Sequence, residues 1–125
     1  MRPRSSWLLW TFRALLATAL AVIGWLALSP SPPVDPGVPD TLQHAAAFLA
    51  LALLADLSWP DADYWRAKAL PLLAYGGLIE LAQAGTAART AEWLDLAADA
   101  GGLAIYPLLA LTLRAIPGLG RWWKG

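Results

Sequence analysis

Apolar positions along this chain fall into four long runs, each interrupted by only a few polar residues. Trp7 to Leu28 is apolar apart from Thr11, Arg13 and Thr18, and Thr41 to Trp59 apart from Thr41, Gln43, His44, Asp56 and Ser58. Ala69 to Gly85 carries Glu80 and Gln83, and Leu94 to Leu113 bears Asp95 and Asp99 near its start and Pro107 further on. At a rise of 1.5 Å per residue the first three runs reach about 33, 28 and 25 Å, enough to cross or nearly cross the hydrocarbon of a bilayer. Between the first two, Pro30, Pro32, Pro33, Pro36 and Pro39 predict an extended linker over Ser29–Pro39, because closely spaced prolines cannot continue a helix. Pro60 to Lys68 reads as a polar loop with Asp61, Asp63, Arg66 and Lys68, and Asp56, Asp61 and Asp63 read as ordinary cytoplasmic-edge residues. Thr86 to Trp93 reads as a short connection, Pro107 as a kink, and Arg114 to Gly125 as a basic, tryptophan-rich tail suited to a membrane interface.

The pattern predicts an all-α, four-helix transmembrane bundle in a single domain over residues 1–125, with spans at about 7–28, 41–59, 69–85 and 94–113. Composition agrees, since 58% of residues are hydrophobic and only 14% charged, against about 25% charged in a soluble domain. Four crossings put Arg2, Arg4, Arg13, Arg66, Lys68, Arg114, Arg121 and Lys124 on one side and Arg89 alone on the other. The positive-inside rule assigns the crowded side, and with it both termini, to the cytoplasm of a multi-pass membrane protein. Two competing readings are a cleaved leader for the first run, which follows basic residues and ends at Ala27 and Ser29, and a soluble bundle, which would need a charged outer face. The nine bases balance nine acids, so no basic groove points to nucleic acid. Without cysteine there is neither a thiolate nor a disulfide framework.

The topology gathers sequence-distant polar residues at the outer ends of the helices. Asp40 and His44 are four apart, Gly76, Glu80 and Gln83 four and three apart, and Asp95, Asp99, Gly102 and Tyr106 continue the same helical step. Arg89 sits in the connection beside them. An ionisable residue inside an apolar segment is costly and is a functional candidate by default, Glu80 above all. Asp40 and Asp95 could instead cap their helices, Gln83 could tie two helices together, and Arg89 could pair with Glu92. Gly76, Gly77, Gly101 and Gly102 would let backbones approach closely.

Asp40 with His44, Glu80 with Gln83, and Arg89 followed by Asp95, Asp99 and Gly102 together resemble the VanZ-like family of small integral membrane proteins. That family's pattern is Asp-Lys-x-x-His, then Glu-x-x-Gln, then Arg, Asp, Asn and Gly. The family lysine is Thr41 here and the family asparagine is Asp99, which puts in question any role needing a cation at 41 or a neutral amide at 99. The resemblance implies a multi-pass protein of the bacterial cytoplasmic membrane, in a family whose named member is associated with low-level resistance to the glycopeptide teicoplanin.

Three functions fit the residues. In the first, Asp40, His44, Glu80, Gln83, Arg89, Asp95 and Asp99 line a polar pocket that recognises a lipid-linked envelope compound, with the Arg89 fork holding an anionic headgroup. In the second, an enzyme acts on a lipid headgroup, with His44 oriented by Asp40 as general base and Glu80 as acid. Carboxylates and a histidine at one depth could also hold a divalent metal, but no established ligand spacing is present, so no metal or cofactor is assigned. The third is proton-linked transport, for which Asp56 would be the remaining relay and a homodimer would supply room. Membrane lipids, a lipid-linked precursor and a second copy are the expected partners.

Overall fold

The apolar runs fold as helices wherever proline permits. In a computed structural model α1 spans Ser6–Leu28, α2 Asp40–Ser58, α3 Leu70–Ala84, α4 Trp93–Ala115 and the short α5 Arg121–Lys124. The structure describes residues 3–29, 37, 39–85 and 93–124; the linker expected over most of Ser29–Pro39, together with Arg89 and Glu92, lies outside them. The fold is all-helical, with no strand among the described residues. Helices α1, α2 and α4, of 23, 19 and 23 residues, are each long and apolar enough to cross a membrane, whereas α3 has 15 residues.

The surface these helices present is apolar. Trp7, Leu15, Val22 and Trp25 on α1, Leu78 and Leu81 on α3, and Ile105, Leu108 and Leu111 on α4 are exposed, while Asp56, Lys68, Glu80, Gln83, Asp95 and Asp99 are buried. A soluble bundle has the opposite distribution, and this one is compatible with a membrane protein. One core holds Leu16, Phe48, Leu51, Ala52, Leu72, Leu103, Tyr106 and Ala110, so α1 is a packed element of the bundle. Tyr75 Oη also ties α3 to α1 by donating to the Leu20 carbonyl at 2.5 Å.

Helix α2 makes its broadest contact with α4. The two run parallel, since the side-chain contacts between them join residues at similar sequence offsets, His44 to Asp99 and Asp56 to Arg114. The close approach depends on Gly102, where a Cβ would collide with the Ala45 carbonyl oxygen. Of the glycines expected at contacts, Gly76 and Gly102 sit at them, whereas a Cβ on Gly77 or Gly101 would meet nothing within 4 Å.

Two local expectations are corrected. The segment before α3 is not a loop throughout, because a wide π turn over Trp65–Ala69 runs directly into α3. Pro71, at the start of α3, has no N–H to give the preceding turn and its ring crowds the carbonyl four residues back, which favours such a widened turn. Lys68 lies within it at 2% exposure. Asp56 is not an edge residue. It is fully buried and accepts from Lys68 Nζ at 2.6 Å, Tyr106 Oη at 2.5 Å, Trp123 Nε1 at 2.9 Å and Arg114 at 3.2 Å. Pro107 lies inside α4. Proline cannot donate to the carbonyl four residues earlier, that of Leu103, and Tyr64 Oη donates to that oxygen at 2.5 Å instead.

The basic residues collect with Asp56 at one end of the bundle. Arg4 pairs in bidentate fashion with Asp61 at 2.7 and 2.9 Å. Arg13 donates to the Ser58 carbonyl at 3.1 Å and lies between the Trp10 and Trp59 rings. Gly118, at φ +86°, makes the left-handed turn after α4, and beyond it Trp122 Nε1 reaches the Leu57 carbonyl at 3.0 Å.

Two substitutions test this packing. Gly102→Ala should part α2 from α4 and lower the temperature of unfolding in detergent, while Gly101→Ala leaves it unchanged. Asp56→Ala should cost about 3–5 kcal/mol by leaving the Lys68 ammonium buried without its counter-charge, whereas Asp61→Ala, whose carboxylate is exposed, should cost less than about 1 kcal/mol. Reversible unfolding in mixed micelles checks both values.

Candidate functional site

At the opposite end from the bases, three helices converge on His44. It lies one turn into α2, and its Nδ1 is 2.7 Å from Asp99 Oδ1 on α4. An ionised carboxylate only accepts, so Nδ1 carries a proton and donates it, which turns Nε2 the other way. Nε2 faces Asp95 Oδ2 at 3.6 Å, too far for a hydrogen bond. Glu80 arrives from α3, and one donor atom each from His44, Glu80 and Asp95 lie within 4.8 Å of one another.

Helix geometry explains the convergence. Asp95 and Asp99 are four apart on α4 and share a face. The parallel α2 and α4 begin at the same end, so both positive dipole ends support the carboxylates there. Asp99 is held further by Gly76, where a Cβ would press on Asp99 Oδ2 at 2.6 Å and on the Phe48 ring. Asp95 is 7% exposed, yet its Oδ1 has no hydrogen-bond partner. Two like charges 4 Å apart at an effective dielectric of 20 repel by about 4 kcal/mol, so grouped carboxylates are stabilised by a cation or a shared proton.

The other expected site residues divide. Asp40 opens α2 in an exposed position, and the expectation that it orients His44 is corrected, because Asp99 does so. Side chains on a helix lean toward its N-terminus, which tips Asp40 off the helix end while His44 comes level with Asp99. Gln83 is buried and donates from Nε2 to the Ala27 carbonyl of α1 at 2.7 Å, so this end of its amide joins α3 to α1. Arg89 lies outside the described residues.

The Asp56 network was missed, although the rule that singled out Glu80 applies equally to an aspartate within the second apolar run. Four donors satisfy Asp56, which marks it as a structural junction. Near that end a groove of about 560 Å³ is lined by Arg4, Arg13, Trp59 and Asp61. Both arginines there are engaged, Arg4 by Asp61 and Arg13 by Ser58. The His44 cluster therefore remains the candidate site. No family model, curated protein or solved structure matches the chain, so the site is interpreted from its own geometry.

Gly76→Ala should force Asp99 off His44 while leaving the helices formed. The nitrogen-15 and proton signals of His44 Nδ1–H should then lose the downfield position of a carboxylate-bound imidazole. An unchanged imidazole spectrum in a folded Gly76→Ala protein would refute the assigned geometry.

Proposed function

We propose that this is a VanZ-like protein of the bacterial cytoplasmic membrane that recognises a phosphate-bearing, lipid-linked compound of the cell envelope at its outer face. In this reading α3, extended by the π turn before it, is a fourth span. Both termini are cytoplasmic, and Arg89 falls in the connection between α3 and α4, on the outer side. The observation that carries the proposal is the convergence of His44, Glu80, Asp95 and Asp99 from three helices at the end of the bundle away from the bases. Asp56, Lys68, Arg13 and Arg114 gather at the other end, and the positive-inside rule makes that the cytoplasmic end. Intramembrane ionisable groups are expensive and are kept where a ligand or a charge network uses them.

Arg89 would take the anionic headgroup through its planar fork, with the exposed Asp40 at the rim and Gln83 buried against α1. The family resemblance extends the reading to low-level teicoplanin resistance. A homodimer is compatible with the exposed apolar faces of α1, α3 and α4.

A second reading, a membrane enzyme acting on the same headgroup, is supported by the His44–Asp99 pair. An imidazole whose Nδ1–H is held by a carboxylate presents Nε2 as a general base, and Glu80 would serve as the acid.

Protein in nanodiscs should bind a polyprenyl-phosphate-linked sugar precursor, with Arg89→Ala weakening binding at least about tenfold, the loss of roughly one charged contact. Full affinity in Arg89→Ala, or no binding by the parent protein, would end the proposal. Phosphate or sugar release that disappears in His44→Ala would move the assignment to the enzyme.

A further inference from the structure

The His44 cluster has the wrong charge to meet a phosphate unaided. Its described members are one imidazole and three carboxylates, from Glu80, Asp95 and Asp99. This donor set is suited to a cation, and its geometry is specific. Asp99 holds His44 Nδ1, so Nε2 is left facing Asp95, where its deprotonated form can serve as a metal ligand. A histidine that binds a metal through one nitrogen is ordinarily held through the other by a carboxylate or carbonyl, which sets its tautomer and ring orientation.

We propose that His44 Nε2, Glu80 and Asp95 form a binding site for a divalent transition ion of the zinc class, with Asp99 as the positioning residue for His44. The 3.6 Å between Nε2 and Asp95 Oδ2 is too long for a hydrogen bond. It is close to the roughly 3.4 Å that separates neighbouring donors of a tetrahedral ion with bonds of about 2.0–2.2 Å. The Glu80 donor falls within the same 4.8 Å circle. Asp95 supplies a second and independent sign, since the side chain is nine-tenths buried and its Oδ1 is without a hydrogen-bond partner. Such an atom is costly unless something outside the protein pairs with it.

Three protein donors leave a coordination position open, as catalytic or ligand-binding ions require. The His44 side chain, 24% exposed, leaves a way in. One imidazole with two carboxylates suits zinc or manganese better than calcium, which takes six to eight oxygens. The ion would also remove a difficulty from the lipid-binding reading, because it would place positive charge between the carboxylates and a phosphate. The site itself stands on the fold alone and does not require that reading.

Zn²⁺ titrated calorimetrically into chelator-stripped protein in detergent should bind at one ion per chain and raise the unfolding temperature. Co²⁺ should give the visible absorption of a low-coordinate nitrogen and oxygen site. Glu80→Gln, which keeps the side-chain volume, and His44→Ala should each abolish stoichiometric binding. Asp99→Asn should weaken it about 10–100-fold, the usual effect of losing such a positioning group. Asp61→Asn with Asp63→Asn at the opposite end should change nothing. If His44→Ala does not fold, Glu80→Gln and Asp99→Asn decide the outcome. The absence of stoichiometric Zn²⁺ in folded parent protein, or its survival in folded Glu80→Gln, would overturn the proposal, as would its loss in the Asp61, Asp63 variant. Retained precursor binding by a protein that takes up no metal would remove the ion and leave the lipid-binding reading intact.

Discussion

The close parallel contact of α2 with α4, allowed by the missing side chain at Gly102, is the constraint on which the rest of the structure depends. It brings His44 level with Asp99 and Asp95 at one end and Asp56 level with Tyr106 and Arg114 at the other. Helices in lipid gain nothing by hiding apolar surface from one another. Backbone proximity and polar side-chain contacts therefore have to hold this pair together. Helices α1 and α3 are joined by two hydrogen bonds to carbonyls, from Tyr75 and Gln83.

The two polar clusters lie about 18 Å apart along α2, twelve residues at 1.5 Å each, and they differ in how their charges are met. Asp56 receives donors from Lys68, Tyr106, Arg114 and Trp123. A buried ion so well compensated locks its neighbours in place, and losing either Asp56 or Lys68 is expensive because the other remains buried. In the His44 cluster one imidazole faces both Asp95 and Asp99, and an oxygen of Asp95 is left without a hydrogen-bond partner. The first arrangement suits a structural junction and the second suits a site that receives something from outside. Phe48, Leu51, Ala52 and Leu103 are buried between them, an apolar layer that lends no support to proton relay from one cluster to the other.

Backbone exceptions serve the same division. Pro107 deprives the Leu103 carbonyl of its helical donor, and Tyr64 replaces it from the segment before α3. The wide turn ahead of Pro71 carries Lys68, which reaches Asp56. Both cases follow a general requirement that a carbonyl freed within an apolar bundle must find another donor.

How far the sequence by itself determined this protein is set by the range of the interactions involved. The helices follow from the lengths of the apolar runs and the positions of the prolines, which are local properties of the chain. The burial of Glu80 follows as well, because a charge within an apolar run must turn inward. The sorting of the bases to one end follows from alternation of direction between successive helices. Only the tertiary structure decided that Asp99 rather than Asp40 holds His44, that Gly76 and Gly102 but not Gly77 and Gly101 sit at contacts, and that Asp56 pairs with a lysine taken for a loop residue. These depend on the rotation and offset of one helix against another. Periodicity states which residues share a face, but it leaves open which neighbouring face they meet. The donors for a metal come from three separate helices, so no spacing along the chain could have displayed them together.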